Sequence, residues 1–188
     1  MTLAAKETLL SNTEALALTD ETDLPGLMRQ AATLRDRGFG NIITYSRKVF
    51  IPLTHLCRDS CRYCTFARPP RRGEQIYMSL EDVRAVVCKG ESAGCTEALF
   101  TLGDKPELRY LQAKDALREL GHESTFEYLR TAAGLVLKES SLLPHLNPGV
   151  MTATDMAALR PVSVSMGLML DYARVAGNAE FVQCQRVI

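Results

Sequence analysis

Cys57, Cys61 and Cys64 stand in the pattern C-x-x-x-C-x-x-C, three thiols within eight residues. A loop so dense in sulfur must fold tightly, and thiolates gathered this way bind soft metals. In a reducing compartment the chain's six cysteines need not pair, and three at this spacing point to a metal site rather than to disulfides. Three thiolates match three corners of an iron–sulfur cube and leave one iron open to a small molecule. Zinc takes the same ligand type, but structural zinc sites are closed by four ligands in paired spacings, and no second C-x-x-C or H-x-x-x-H follows. Two plainer alternatives stay open at this point, buried small apolar cysteines and an incomplete zinc site. Cys88, Cys95 and Cys184 lie outside the pattern, and Cys88 and Cys95, on and just after a predicted helix, are expected to be inert core residues.

The rest of the chain reads as one ordinary soluble domain. Its 188 residues are 46% hydrophobic and 23% charged, enough for a real core and unlike a fibre or a disordered tail. Residues 1–18 lack a basic start followed by an apolar run, and no segment approaches the ~18 apolar residues that cross a bilayer. A cytoplasmic protein is the expectation. Net charge is zero, yet Arg47, Lys48, Arg58, Arg62, Arg68, Arg71 and Arg72 crowd one segment against a single acid, Asp59. That segment surrounds the cysteines and is either a solvated loop or a site for anions.

Leu24, Leu27, Met28, Ala31 and Leu34 recur at helical spacing and predict a leading helix stopped by Gly38. Val49–Leu53 predicts a strand broken by Pro52 that delivers the chain to the cysteine loop. A helix then opens at Ser79 and Asp82 and stops near Gly94. Ala98–Leu102 is an apolar run of strand length, followed by the loop Gly103-Asp104-Lys105 and a helix through Leu108, Leu111, Leu117 and Leu120 to Gly121. Ser124 and Glu127 suggest a capping box for another helix. Leu142–Val150 predicts a third strand with its loop, Thr154–Leu159 a short helix, and Val162–Leu170 a fourth strand. Apolar strands alternating with helices specify an α/β fold with a parallel sheet. In such barrels the loops after the strands build the site, so the cysteine loop, Gly103–Lys105 and His145–Asn147 should open on one face. About four βα units are visible where a full barrel takes ~250 residues, which predicts a truncated partial barrel.

The spacing with an aromatic residue, Tyr63, before the last cysteine resembles the signature of radical S-adenosylmethionine enzymes. More narrowly, ITYSRKVFIPLTHLCRDSCRYCTFA, GCTEALFTLGDKPE, STFEYLR, LLPHLNPGVM and RPVSVSMGLML, in that order, resemble the N-terminal portion of the 7,8-didemethyl-8-hydroxy-5-deazariboflavin synthase family of coenzyme F420 biosynthesis. The resemblance implies a [4Fe–4S] cluster on Cys57, Cys61 and Cys64 and S-adenosylmethionine on the open iron, cleaved reductively to a 5′-deoxyadenosyl radical. It places Tyr63 beside the cluster and gives Gly103 and Asp104 the methionyl amino group of the cofactor. Asp104 alternatively caps the helix after Pro106. His145 and Asn147 are candidates for facing the substrate, although Asn147 before Pro148 also suits a turn. The catalytic residues themselves stay unassigned.

The same resemblance implies a lyase that closes the deazaflavin ring of a hydroxybenzyl-diaminouracil adduct with loss of ammonia, served by a reductase as electron donor. After Leu170 the sequence departs from the family. The expected organisation is a helical lead over 1–44, a partial radical S-adenosylmethionine barrel over 45–170 and a divergent tail over 171–188. A missing C-terminal half or a second radical enzyme is the partner this implies. The rival reading is a non-catalytic iron–sulfur or zinc module that contacts nucleic acid through residues 47–72. Tyr45, Phe50, Tyr63 and Phe66 interleave with the basic residues there, but most of them belong to the strand or the cysteine motif, so nucleic acid is disfavoured.

Overall fold

The computed structural model describes residues 10–61, 64–167, 172–174 and 181–183. The chain divides into two compact units, Met1–Tyr45 and Ser46–Ile188. In the first, α1 (Asn12–Ala17) starts in a capping box in which the Ser11 hydroxyl accepts from the Glu14 N–H and the Glu14 carboxylate accepts from the Ser11 N–H. The sequence reading assigned no element there. Helix α2 (Leu24–Phe39) is capped by Asp23 and runs through Gly38, ending at Gly40, whose positive φ of 61° supplies the stop expected at Gly38. Its apolar stripe is largely exposed at Leu24, Met28 and Leu34.

The second unit carries a four-stranded parallel sheet of β1 (Lys48–Ile51), β2 (Glu97–Thr101), β3 (Leu143–Asn147) and β4 (Ser165–Met166), in sequential order. The helices are α3 (Leu80–Ser92), α4 (Leu111–Glu119), α5 (Thr125–Glu139) and α6 (Ala153–Leu159). Helix α3 packs on β1 and α5, and α5 packs on β3 and α6. Ile51, Ala98, Phe100 and Leu146 of the strands meet Val83, Val87, Leu129, Ala133 and Val136 of the helices in one core. This is the α/β partial barrel that the sequence predicts. Only one face of the sheet is covered: burial alternates along β2 and β3, and the other face mixes Lys48, Glu97, Thr101, His145 and Asn147 with Phe50, 62% exposed, and Leu143, 46% exposed.

Two elements differ from expectation. The helix expected from Leu108 to Gly121 is a 3₁₀ turn, Pro106–Leu108, followed by α4, because Tyr110 adopts an extended conformation between them. Leu108 and Leu111 are therefore exposed, while Ala113 and Leu117 carry the burial. Glu127 completes only half a capping box, since Ser124 accepts from its N–H while the Glu127 carboxylate accepts from the N–H of Glu123. The described part of the fourth strand is two residues long, and Leu168–Leu170 lie outside the described residues. Beyond them β5 (Tyr172–Arg174) pairs antiparallel with β6 (Phe181–Gln183). Among the described residues no helix is long and apolar enough to cross a membrane.

Candidate metal centre

The chain leaves β1 at Ile51 and stays buried through Leu53, Thr54 and Leu56 before it surfaces at Cys57. This descent is tied to the loop after β2. The Gly103 N–H donates to Thr54 O at 3.4 Å, and the Arg58 N–H donates to Asp104 O at 2.9 Å. The two loops touch because β1 and β2 are neighbours in register, Ile51 opposite Phe100, so both emerge at one edge. Gly103 is required by the closeness of the contact. A Cβ there would stand 1.9 Å from Leu56 O and 2.7 Å from the Cys57 Cβ.

Cys57, Cys61 and Cys64 line one cleft of about 240 Å³ with Asp59, Ser60 and Arg109 among the other walls. Cys57 and Cys64 carry free thiols, and Cys61 is held in a disulfide, which reductant must open before it can ligate a metal. The sulfurs are not gathered into a cage: among the described residues no group of three or more His, Cys, Asp and Glu side chains is poised to hold a metal ion. Burial pushes the thiol of Cys57 up in pKa, and the N–H groups of Asp59 (3.4 Å) and Asp104 (3.3 Å), both donating to its Sγ, pull against this. Such donors stabilise a thiolate once it forms.

Asp104 sits at the junction of three loops with its side chain 1% exposed. Oδ2 accepts from Arg58 Nε at 2.5 Å and Oδ1 from the Val150 N–H, after β3, at 3.2 Å. Gly149, at φ +89°, makes room for this: a Cβ on it would lie 2.7 Å from Asp104 Oδ1. Burial pushes the Asp104 carboxyl up, and the Arg58 guanidinium pulls it back only in part. Asp104 is not the cap of the following turn. That position belongs to Lys105, in the left-handed region at φ 34° with no side-chain cap bond. Arg109 was missed altogether in the sequence. Its Nη1 donates to Arg58 O at 3.1 Å, Asp59 O at 3.3 Å and Ser60 Oγ at 2.8 Å.

His145 and Asn147 do not line the cysteine cleft. They project from the less covered face of β3, where His145 shares a hydrogen bond of 2.6 Å with Ser165 Oγ, and burial foremost holds the His145 pKa down. Asn147 Oδ1 is buried without a hydrogen-bond partner. Tyr63 and Cys184 lie outside the described residues. Cys95 is half-buried as expected of a packed residue, but Cys88 is exposed rather than in the core. Three cations of the basic segment are paired within the chain, while Arg47, Arg71 and Arg72 form no ion pair among the described residues. Lys48 pairs with Glu97, Arg58 with Asp104, and Arg68 with Glu74.

The segment matches several curated proteins. It is 50% identical to the FO synthase of Mycobacterium leprae over 163 residues, 79% of this chain and 19% of that protein. Identity to the FO synthase of Nocardia farcinica is 47% over 171 residues, 86% of this chain and 20% of that protein. The 7,8-didemethyl-8-hydroxy-5-deazariboflavin synthase of Methanopyrus kandleri is 48% identical over 130 residues, 69% of this chain and 39% of that protein. The chain thus spans about a fifth to two fifths of the length of these relatives. Among solved structures, methylornithine synthase matches with a TM-score of 0.56 at 20% identity, over 85% of this chain and 43% of that one. The FeFe-hydrogenase maturase HydG from Carboxydothermus hydrogenoformans matches with a TM-score of 0.56 at 22% identity, over 81% and 33%. These two likenesses speak for the fold alone. No protein-family model matches the chain.

Proposed function

We propose that this chain, homologous to the FO synthases over most of its length, is the cluster-binding part of a radical S-adenosylmethionine 7,8-didemethyl-8-hydroxy-5-deazariboflavin synthase. The observation that carries the reading is that Cys57, Cys61 and Cys64 line one cleft where the parallel strands end. Once reductant has opened the disulfide of Cys61, three cysteine sulfurs on one cleft suit an iron–sulfur cube with one open iron, so the residue types present fit the group. Cys57, Cys61 and Cys64 would hold it. When bound, the cluster and S-adenosylmethionine supply the reductive radical chemistry. The protein's share is shape and electrostatics. As a ligand, the half-buried Cys57 would be a thiolate, and the Asp59 and Asp104 N–H groups would stabilise the charge on its sulfur.

Asp104 has two competing tasks in this reading. An ammonium group brought to it would share a carboxylate that Arg58 and the Val150 N–H already occupy. Asn147 is the better candidate on the substrate side, because an unpartnered buried acceptor is costly until something donates to it. The proposed substrate, the hydroxybenzyl-diaminouracil adduct, carries N–H groups able to do so. A reductase would supply the electron, and the reaction would release ammonia as the ring closes. The relatives speak for the synthase reading and none for the nucleic-acid alternative, and Lys48, Arg58 and Arg68 of the basic loop are each already paired with an acid of the same chain.

Anaerobic reconstitution with ferrous iron and sulfide under reductant is the test. The expected result is about four iron and four labile sulfide per chain, as for one cube on cysteine ligands. Replacing Cys57, Cys61 or Cys64 by Ala should abolish loading, while Cys88→Ala and Cys95→Ala keep it. S-adenosylmethionine should then perturb the electron paramagnetic resonance spectrum of the reduced protein. Bound zinc with no sulfide, or full iron in Cys61→Ala, would overturn the assignment.

A further inference from the structure

Between the first two cysteines lie three residues, Arg58, Asp59 and Ser60, and one guanidinium touches all of them. Arg109 Nη1 donates to Arg58 O, Asp59 O and Ser60 Oγ at 3.1, 3.3 and 2.8 Å. Nη1 carries two hydrogens, so the three acceptors share them and the loop closes around one atom. The guanidinium is itself anchored. Its carbon lies 5.2 Å from the centroid of the Tyr110 ring, and the Arg109 backbone N–H donates to Pro106 O at 2.9 Å. Arg109 and Tyr110 also line the cysteine cleft.

We propose that Arg109 is a positioning residue for the metal ligands, fixing the turn from Cys57 to Cys61 so that the thiols address one cleft. This rests on the reading of the cleft as an iron–sulfur site. The turn belongs to no helix or strand of the fold, so the geometry of the ligands depends on what grips it from outside. Arg109 grips it from the loop after β2, which the sheet register already holds beside the loop after β1. The guanidinium is permanently charged, so it also favours whichever state of the site carries more negative charge. Lysine would keep the charge but lose the planar fork and its stacking on Tyr110.

The measurement is the rate at which a chelator strips iron from the reconstituted full chain, together with the midpoint potential of the cluster and the unfolding temperature of the apoprotein. Arg109→Ala should release iron roughly tenfold faster, the scale of losing hydrogen bonds from a charged donor. Its potential should move to more negative values, because a nearby cation no longer favours the added electron. Arg109→Lys should restore the potential but only part of the retention. The apoprotein unfolding temperature should stay within ~2 °C of wild type, since the side chain is exposed and only the loop is released. Ser60→Ala, which deletes one of the three acceptors, should change the release rate in the same direction by a smaller factor, and it carries the test if Arg109→Ala fails to fold. Wild-type protein that loads no iron refutes the reading of the cleft. Wild-type loading with unchanged release and potential in both Arg109 variants refutes the positioning role alone. Faster release with a lowered unfolding temperature and an unmoved potential would assign Arg109 a general structural role and also overturn the proposal.

Discussion

Removing the Arg58 side chain strands the Asp104 carboxylate, 1% exposed, with the Val150 N–H as its remaining side-chain partner. Loss of one partner from a buried pair costs about 3–5 kcal/mol. Arg58 is 32% exposed, so water reaches one side of the pair and the expected cost of Arg58→Ala is nearer ~2 kcal/mol. The carboxyl would also take a proton more readily, because the guanidinium that opposes the effect of burial is gone. Asp104→Ala removes that charge but leaves the buried Val150 N–H without its acceptor, a penalty of about 1–3 kcal/mol. The double variant no longer contains an unpaired buried charge. Its cost should fall short of the sum of the single costs by ~1–2 kcal/mol, the size expected for groups in direct contact. Asp104→Asn is the companion, since an amide can keep an acceptor for Val150 while giving up the charge. In the Arg58→Ala background it should recover part of the lost stability. Urea unfolding at neutral pH measures all four, provided the slope with denaturant is unchanged. Costs that add to within ~0.5 kcal/mol would show that the two side chains do not act as a pair, and the account of how the cysteine loop is fastened to β2 would be wrong.

Gly103→Ala should cost at least ~3 kcal/mol or abolish folding, because its Cβ would overlap Leu56 O at 1.9 Å, and the urea midpoint of this single variant checks it. Tyr128 donates to Met78 O at 2.6 Å, and burial pushes its phenol up to about 12 from an ordinary 10.0. A raised folded pKa means stability that is whole below pH 10 and lost as pH rises through about 12. Urea midpoints should therefore fall more steeply from pH 9.5 to 11.5, on the order of that window, in wild type than in Tyr128→Phe, and equal slopes would contradict this reading.

The parts of the molecule that were legible in the sequence are those whose cause is local. The cysteine spacing is contained in eight residues, and the strands announce themselves as short apolar runs between turn residues. The capping box at Ser11 and Glu14 was equally local, an S-x-x-E signal lost in a polar stretch with weak periodicity. What failed was whatever depends on phase or on distant partners. Val83, Val87 and Gly90 bury one side of α3, and Cys88 follows Val87 by one residue, about 100° around the axis and out of the core. In the basic segment a window of sequence counts charge but does not show which cations are already partnered. Glu97 and Asp104, which pair with Lys48 and Arg58, lie 49 and 46 residues away. The apolar spacing from Leu108 does not show that Lys105 adopts a left-handed conformation or that Tyr110, in extended backbone, breaks the run.

Those distant partners explain why the site forms where it does. Sequential parallel order puts the loops after β1, β2 and β3 side by side at one edge of the sheet, and each contributes a different kind of group. The first brings the thiols, the second brings Gly103, Asp104 and Arg109, and the third brings the Val150 N–H that completes Asp104. A carboxylate buried this deeply costs stability unless every oxygen has a partner. Its partners come from two other loops, so Asp104 is satisfied only when all three strands are in register. The cysteine loop is in turn gripped by the same segment that Asp104 anchors. Correct sheet assembly and correct presentation of the three cysteines are therefore one event, and under the proposed reading a cluster that loads would be evidence that the strand order has formed.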